Sequence, residues 1–280
     1  IKLFNFSTSN HKHQFPIDQI AFGNTICATS DLKNQIKLWP LVYNSLNYST
    51  SKSNIFVDSP KSNRNRQSRL VDEKIKTLNF ENFNQSQSIW SLCLSRDEKF
   101  LIIGYSNGLI RFVDLANLNN ESSQQSLPTH DYIDRNNQNG ITNLIEIKAK
   151  ISIPFYTIYI ILAARLNGCL ELIKFNVKNS SKSSSDIEGL LTRSFSDNFL
   201  SLVQVHHFPI TKIAYSESGN YLLTTSQDCM LKLVKVNTVY LETINYFEEE
   251  IERNEKYMFI IHELISNDLP NNIITSMCIY

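Results

Sequence analysis

Features of secretion, membrane insertion and redox chemistry are scarce in this sequence. No apolar run reaches the roughly 18 residues of a membrane-spanning helix, and no signal peptide opens the chain. The five cysteines form no C-x-x-C pair, which favours buried, reduced thiols. Lys plus Arg and Asp plus Glu both total 27, so charge does not favour a nucleic-acid or membrane partner. We therefore expect an intracellular protein, of the cytoplasm or nucleus, with no membrane association.

Signatures of catalysis are also missing. The sequence holds no nucleotide-binding loop, no G-x-S-x-G nucleophile turn and no pair of carboxylates in a hydrolytic arrangement. His11 and His13 form an H-x-H pair, but a metal site needs three or four ligands and no cysteine or carboxylate cluster lies nearby. We expect no enzyme activity, no catalytic residue, no cofactor and no metal.

The chain does contain a repeated unit of three short strands separated by turns. Its clearest copy spans 206–237, where ITKIAY, YLLTT and MLKLVKV alternate apolar and polar residues between Ser-, Gly- and Asp-containing turns. Further copies span 13–41, 89–115 and, in a distorted form interrupted by KAKISIPFY, 141–177. A single unit of this kind cannot bury its apolar face alone, so the units must pack on one another.

This unit resembles the four-stranded blade of the WD-repeat β-propeller family. The family blade has a His near its start, an Asp in one hairpin and a Trp near its end. Here the His and Asp positions are matched in two units and the Trp position in one. The resemblance implies buried structural networks, completed by a strand Ser or Thr, at His13, Asp31, Trp39, His206 and Asp228. Asp31 matches Asp228 in this alignment.

The resemblance implies an all-β fold, a β-propeller of four-stranded antiparallel WD-type blades spanning residues 1–280. We expect about four blades plus partial blades at 1–6 and 274–279, as part of a larger, seven-bladed propeller; a ring of four long blades is the alternative. The units lie farther apart than the roughly 40–45 residues of a plain blade. We therefore expect insertions at 43–88, 116–139, 178–198 and 247–270.

A partner-binding face follows from the same resemblance. In relatives, contacts on the top face often come from the residue after the first apolar anchor of each unit. The equivalent residues here are Asp18, Trp90, Thr142, Thr211 and Thr275. Strand alternation places Trp90 on the same side as Leu92 and Leu94. Trp90 either anchors a partner or packs beneath the adjacent insertion.

The first insertion contains four basic residues, Lys61, Arg64, Arg66 and Arg69. They fit a solvated loop, or a contact with an acidic partner or an RNA backbone. No aromatic residues are interleaved to stack on bases, so we expect no nucleic-acid partner.

We expect a non-catalytic interaction scaffold, an adaptor or subunit of an intracellular multiprotein assembly. Its partners would be other proteins or peptides, and the propeller would be a monomer within the larger complex. The alternatives are an accessory propeller of a larger multidomain enzyme and an RNA-associated propeller that uses the basic insertion.

Overall fold

The structure, a computed structural model, describes ten stretches of the chain. They are residues 13–41, 75–78, 87–115, 129–133, 139–147, 152–153, 156–178, 199–216, 220–236 and 259–264. All regular elements within them are β-strands, and these form four antiparallel sheets. The expected all-β propeller of four-stranded blades is confirmed. The partial blades expected at 1–6 and 274–279 lie outside the described residues.

Each sheet is one blade, numbered in chain order, and in blades 1, 2 and 4 the strands follow one another in space. Blade 1 contains β1 (Ile17–Phe22), β2 (Ile26–Asp31), β3 (Ile36–Pro40) and β4 (Lys76–Leu78). Blade 2 contains β5 (Ile89–Leu94), β6 (Phe100–Tyr105), β7 (Leu109–Asp114) and β8 (Thr129–Ile133). Blade 3 contains β9 (Ile141–Ile147), β10 (Ser152–Ile153), β11 (Tyr156–Arg165), β12 (Cys169–Lys178) and β13 (Phe199–Gln204). Blade 4 contains β14 (Ile210–Ser216), β15 (Tyr221–Ser226), β16 (Leu231–Val236) and β17 (Phe259–Leu264).

Blade 3 departs from the common pattern because its inner strand is divided. β9 pairs with β11 as far as Ile147 opposite Ile160, and β10 then pairs with the start of the same strand. The interruption falls within KAKISIPFY, the segment that breaks the repeat in the sequence.

The fourth strand of a blade lies inside three of the ranges predicted as insertions. β4 falls within 43–88, β8 within 116–139 and β17 within 247–270, and each pairs with the third strand of its blade. These ranges therefore contain the outer strand of a blade as well as added chain.

The turn between the second and third strands has the same backbone form in all four blades. Its fourth residue has a positive φ, at Asn34 (63°), Gly108 (84°), Gly168 (84°) and Cys229 (60°). Asn and Gly tolerate this left-handed conformation readily, whereas other residues are strained in it. The Asn-Gly pairs that predict hairpins in blades 2 and 3 are explained by this requirement.

Three apolar clusters join neighbouring blades. Leu38 of blade 1 shares a cluster with Leu92 of blade 2, Phe112 of blade 2 with Leu144 of blade 3, and Leu172 of blade 3 with Ile210 of blade 4. The core of the described chain therefore lies between the blades, as the repeat pattern requires.

Strand direction defines two edges of this array. The first face contains the starts of the inner strands β1, β5, β9 and β14 and the turns between second and third strands. The second face is the opposite edge, where each inner strand turns into the next strand. The candidate site lies on the first face.

Candidate interaction face

The predicted partner-binding residues occupy one structural position in four blades. Each inner strand is bulged against its neighbour, and the pairing skips Asp18, Trp90, Thr142 and Thr211. A bulge of this kind re-aims a side chain at the end of a strand. The sequence equivalence of these four residues is therefore matched by geometry, whereas Thr275 lies outside the described residues.

The polar members of this set differ in exposure. Asp18 is exposed. Thr142 is partly buried, and its hydroxyl donates to the carbonyl oxygen of Ala164 at 3.2 Å. The hydroxyl of Thr211 lies 2.9 Å from that of Thr225.

Trp90 is partly buried and lies against Gly140 at the entry to blade 3. A Cβ added at Gly140 would come within 2.8 Å of Cε3 of Trp90 and 2.7 Å of the carbonyl oxygen of Ser106. Leu92 and Leu94 instead pack towards blade 1. The prediction that Trp90 shares their side is therefore wrong, because the bulge inserts one residue and reverses the alternation.

The network predicted in blade 1 is present. Nδ1 of His13 lies 3.0 Å from Oδ2 of Asp31, and its Nε2 lies 2.7 Å from the hydroxyl oxygen of Thr29. Nε1 of Trp39 donates to the same hydroxyl oxygen at 2.8 Å. The Thr29 hydroxyl can accept from Trp39 and donate to the imidazole, which leaves Nδ1–H to donate to the carboxylate. Each buried polar group thus has a partner, which is a structural role and no catalytic one.

Blade 4 builds a second network from a different turn position. Nδ1 of His206 lies 3.0 Å from Oδ2 of Asp228, and its Nε2 lies 2.9 Å from the hydroxyl of Thr224. The strand register places Asp31 level with Ser226, so the aligned match of Asp31 with Asp228 is displaced by two residues. Both carboxylates nevertheless meet the imidazole at the same distance.

Blade 3 replaces this network with a buried ion pair. Arg165 stands at the register of Asp31, and its Nε donates to Oε2 of Glu171 at 2.7 Å. Both side chains are fully buried. The hydroxyl of Tyr132, in blade 2, donates to Oε1 of Glu171 at 2.6 Å. Sequence reasoning missed this group, although two opposite charges within the apolar run LAARLNGCLELI were a usable signal.

Exposed apolar side chains concentrate on the first face. The described chain exposes nine large apolar residues, and six of them lie at this edge: Phe15, Ile17, Leu32, Ile133, Leu166 and Phe208. Of the others, Ile20 and Phe22 lie on the outward side of blade 1, and Leu202 lies on an outer strand. These six side chains belong to all four blades, so apolar exposure recurs along this edge.

The second face is charged, and its charges bond across blades. The backbone N–H of Arg96 donates to Oε2 of Glu146 in blade 3 at 2.6 Å. Glu98 accepts from the backbone N–H of Thr25 in blade 1 at 2.9 Å. These groups satisfy one another, which favours a structural role for this edge.

Asp97 belongs to the same edge. Burial alone would raise the pKa of its carboxyl, but hydrogen bonds from Tyr159 and Ser95 outweigh burial and hold the pKa below its usual value. The Tyr159 hydroxyl donates to Oδ2 at 2.7 Å. Asp97 of blade 2 is thus tied to blade 3.

Other predicted groups are less informative. Burial raises the pKa of the Cys27 thiol to about 11 and that of Cys93 to about 12, which disfavours the reactive thiolate.

Lys61, Arg64, Arg66 and Arg69 lie outside the described residues, as does His11. Within the described ranges, no three His, Cys, Asp or Glu side chains converge as they would around a metal ion. The same part of the chain contains no helix able to cross a membrane.

Comparison with known proteins gives one family match. Residues 198–235 match the family model for the WD domain, G-beta repeat. This range covers β13 and most of the first three strands of blade 4. No curated protein matches the chain significantly.

Many solved structures are similar to this chain, and two of them are a chain of a multiprotein complex and an isolated propeller domain. A chain of the mitotic checkpoint complex is 12% identical with a TM-score of 0.45, and the match covers 78% of this chain and 47% of that one. The WD40 β-propeller domain of Doa1 is 13% identical with a TM-score of 0.42, and the match covers 80% of this chain and 52% of that one. This chain spans about half the length of either.

The matched repeat and the shared geometry of the four blades define a class, the β-propellers built from WD repeats. In this chain the stretch 198–235 matches that repeat, and all four sheets share its blade geometry. Domains of the family generally mediate protein–protein interaction and scaffolding, and they are generally not enzymes.

Proposed function

We propose that this chain is a non-catalytic scaffold, a subunit of an intracellular multiprotein assembly, that binds protein or peptide partners through its first face. The observation that supports this most is the contrast between the two edges of the propeller. The first face holds most of the exposed apolar side chains, whereas the charges of the second face are bonded between blades.

Trp90 is the central anchor of the proposed surface. It lies between blades 2 and 3, and Leu166 and Phe208 follow along the same edge in blades 3 and 4. A partly buried Trp is already ordered before binding, so a partner loses little entropy in contacting it. Trp is also among the residues that most often dominate the energy of an interface. The partner we propose presents an apolar surface that covers these side chains.

Quantitative co-purification from cells of the source organism tests the proposal. Trp90→Ala should weaken recovery of the principal partner about 30-fold, which corresponds to an anchor of about 2 kcal/mol. Its melting temperature should stay within about 2–4 °C of the parent, because about 1 kcal/mol of packing on Gly140 is lost.

Leu166→Ser and Leu202→Ser form a matched pair, since both leucines are 38% exposed and only Leu166 lies on the first face. We expect Leu166→Ser to reduce recovery and Leu202→Ser to leave it unchanged. Equal recovery with Trp90→Ala, Leu166→Ser and the parent would refute the proposal.

A further inference from the structure

The segment beneath Trp90 is held by the buried ion pair of blade 3. Nη1 of Arg165 donates to the carbonyl oxygen of Asn139 at 2.9 Å. The carbonyl oxygen of the next residue, Gly140, accepts from the backbone N–H of Leu166 at 2.9 Å. Two consecutive peptide groups are thus fixed by Arg165 and its neighbour, directly under the indole ring.

The guanidinium is itself held in one orientation. Glu171 accepts from both Nε and Nη2 of Arg165, and the second carboxylate oxygen accepts from Tyr132 of blade 2 at 2.6 Å. Both N–H groups converge on one carboxylate oxygen, Oε2, and this restricts the orientation of the guanidinium. Nη1 of the same guanidinium donates to the Asn139 carbonyl oxygen, so the ion pair connects the core with the first face.

Gly140 packs so closely on Trp90 and Ser106 that it has no space for a side chain. A Cβ there would lie 2.8 Å from Cε3 of Trp90 and 2.7 Å from the Ser106 carbonyl, so the ring packs directly on the backbone. A shift of the Asn139–Gly140 segment therefore moves the surface on which the ring lies.

We propose that Arg165, with Glu171 and Tyr132, is a positioning group that fixes Trp90 for partner binding through the Asn139–Gly140 segment. This inference rests on the proposed function only in its final step, the binding of a partner. The position of the ring is a property of the free protein and can be measured without one.

Fluorine NMR of protein labelled with fluorotryptophan makes the measurement, because the chain has two Trp residues. Trp90→Phe assigns the two resonances, and Trp39, in blade 1, serves as the internal reference. The test variant combines Arg165→Met, Glu171→Leu and Tyr132→Phe. Replacing a buried ion pair by apolar residues of similar size need not destabilise a protein. The Asn139 carbonyl oxygen loses the donor Nη1, which is the change that the test requires.

We expect the Trp90 resonance to shift and broaden in this variant while the Trp39 resonance stays in place. Partner recovery should fall by about tenfold even though the protein remains folded. The control is Arg111→Met with Asp131→Leu, which removes a more exposed ion pair of blade 2, where Arg111 Nε lies 2.6 Å from Asp131 Oδ1. It should leave both resonances in place.

Gly140→Ala provides an independent variant in which the ion pair is intact. It should displace the Trp90 resonance directly. An unchanged Trp90 resonance in either the triple variant or Gly140→Ala would overturn the inference. If the resonance moves as expected but partner recovery is unchanged, also with Trp90→Ala, then the proposed function fails while the positioning of Trp90 stands.

Discussion

A double-mutant cycle between His13 and Asp31 measures the network that closes blade 1. Both side chains are almost fully buried, at 3% and 1% exposure. The imidazole makes two hydrogen bonds, to Asp31 and Thr29. Oδ1 of the carboxylate also accepts from the backbone N–H groups of Lys33 and Gln35, at 2.9 and 3.0 Å.

The number of hydrogen bonds that each substitution removes sets the expected loss in the free energy of unfolding. His13→Ala removes one hydrogen-bond partner from a carboxylate oxygen of Asp31 and one from the Thr29 hydroxyl. We expect it to lower the free energy of unfolding by about 2–3 kcal/mol. Asp31→Ala removes the acceptor of two backbone N–H groups as well as of the imidazole, so we expect about 3–4 kcal/mol. The double variant should cost about 1–2 kcal/mol less than the sum, because the bond between the two side chains is counted in both single variants.

Urea unfolding of the four proteins provides the assay. His206 and Asp228 supply a replicate, since their side chains meet at the same 3.0 Å, and we expect a similar coupling energy there. The cross pair of His13 with Asp228 is the control and should be additive, because the two residues belong to blades 1 and 4. Additivity within about 0.5 kcal/mol for His13 with Asp31 would refute the network.

Three further outcomes follow from the same structure. Trp39→Ala should lower the free energy of unfolding by about 3–5 kcal/mol, because a buried aromatic ring and its bond to a hydroxyl are lost, and an unchanged urea midpoint would mean that the ring is exposed. Cys229→Gly should stabilise the protein by about 1 kcal/mol in thermal unfolding, since Cys229 adopts a φ of 60°, and a lower melting temperature would show that its thiol makes a needed contact. Tyr159→Phe should cost about 1 kcal/mol at neutral pH. Because the pKa of Asp97 is lowered in the folded protein, its ionised carboxylate contributes stability that is present above the ordinary carboxyl range and is lost as pH falls through the folded pKa. The cost of Tyr159→Phe should therefore shrink below about pH 4, and a pH-independent cost would contradict the assigned bond.

The repeated units and their turns were predictable because their causes are local. Alternation of apolar residues identifies β14 and β16, and Asn-Gly identifies the turn ending at Gly108, where a positive φ is needed. The His13 and His206 networks were predictable from family resemblance, since their members recur at similar spacing. The outer strands β4 and β8 were harder, because they are short and lie far along the chain from the strands with which they pair.

The side of the strand on which Trp90 lies could not be read from alternation. A single skipped residue at the bulge reverses the direction of its side chain, and nothing in IWSLCL marks that position. The group of Arg165, Glu171 and Tyr132 joins residues of two blades, so only the packed structure shows that their charges and hydroxyl meet. Non-local contacts of this kind decide how the candidate site is built.

Hydroxyl-radical footprinting of the purified complex tests the central claim most directly. It reports the solvent access of aromatic side chains in the bound and free protein. We predict that partner binding protects Trp90 and Phe208 on the first face and leaves Tyr221, on β15 near the second face, as reactive as in the free chain. Protection of Tyr221, with Trp90 and Phe208 unchanged, would contradict the assignment of the first face as the docking surface.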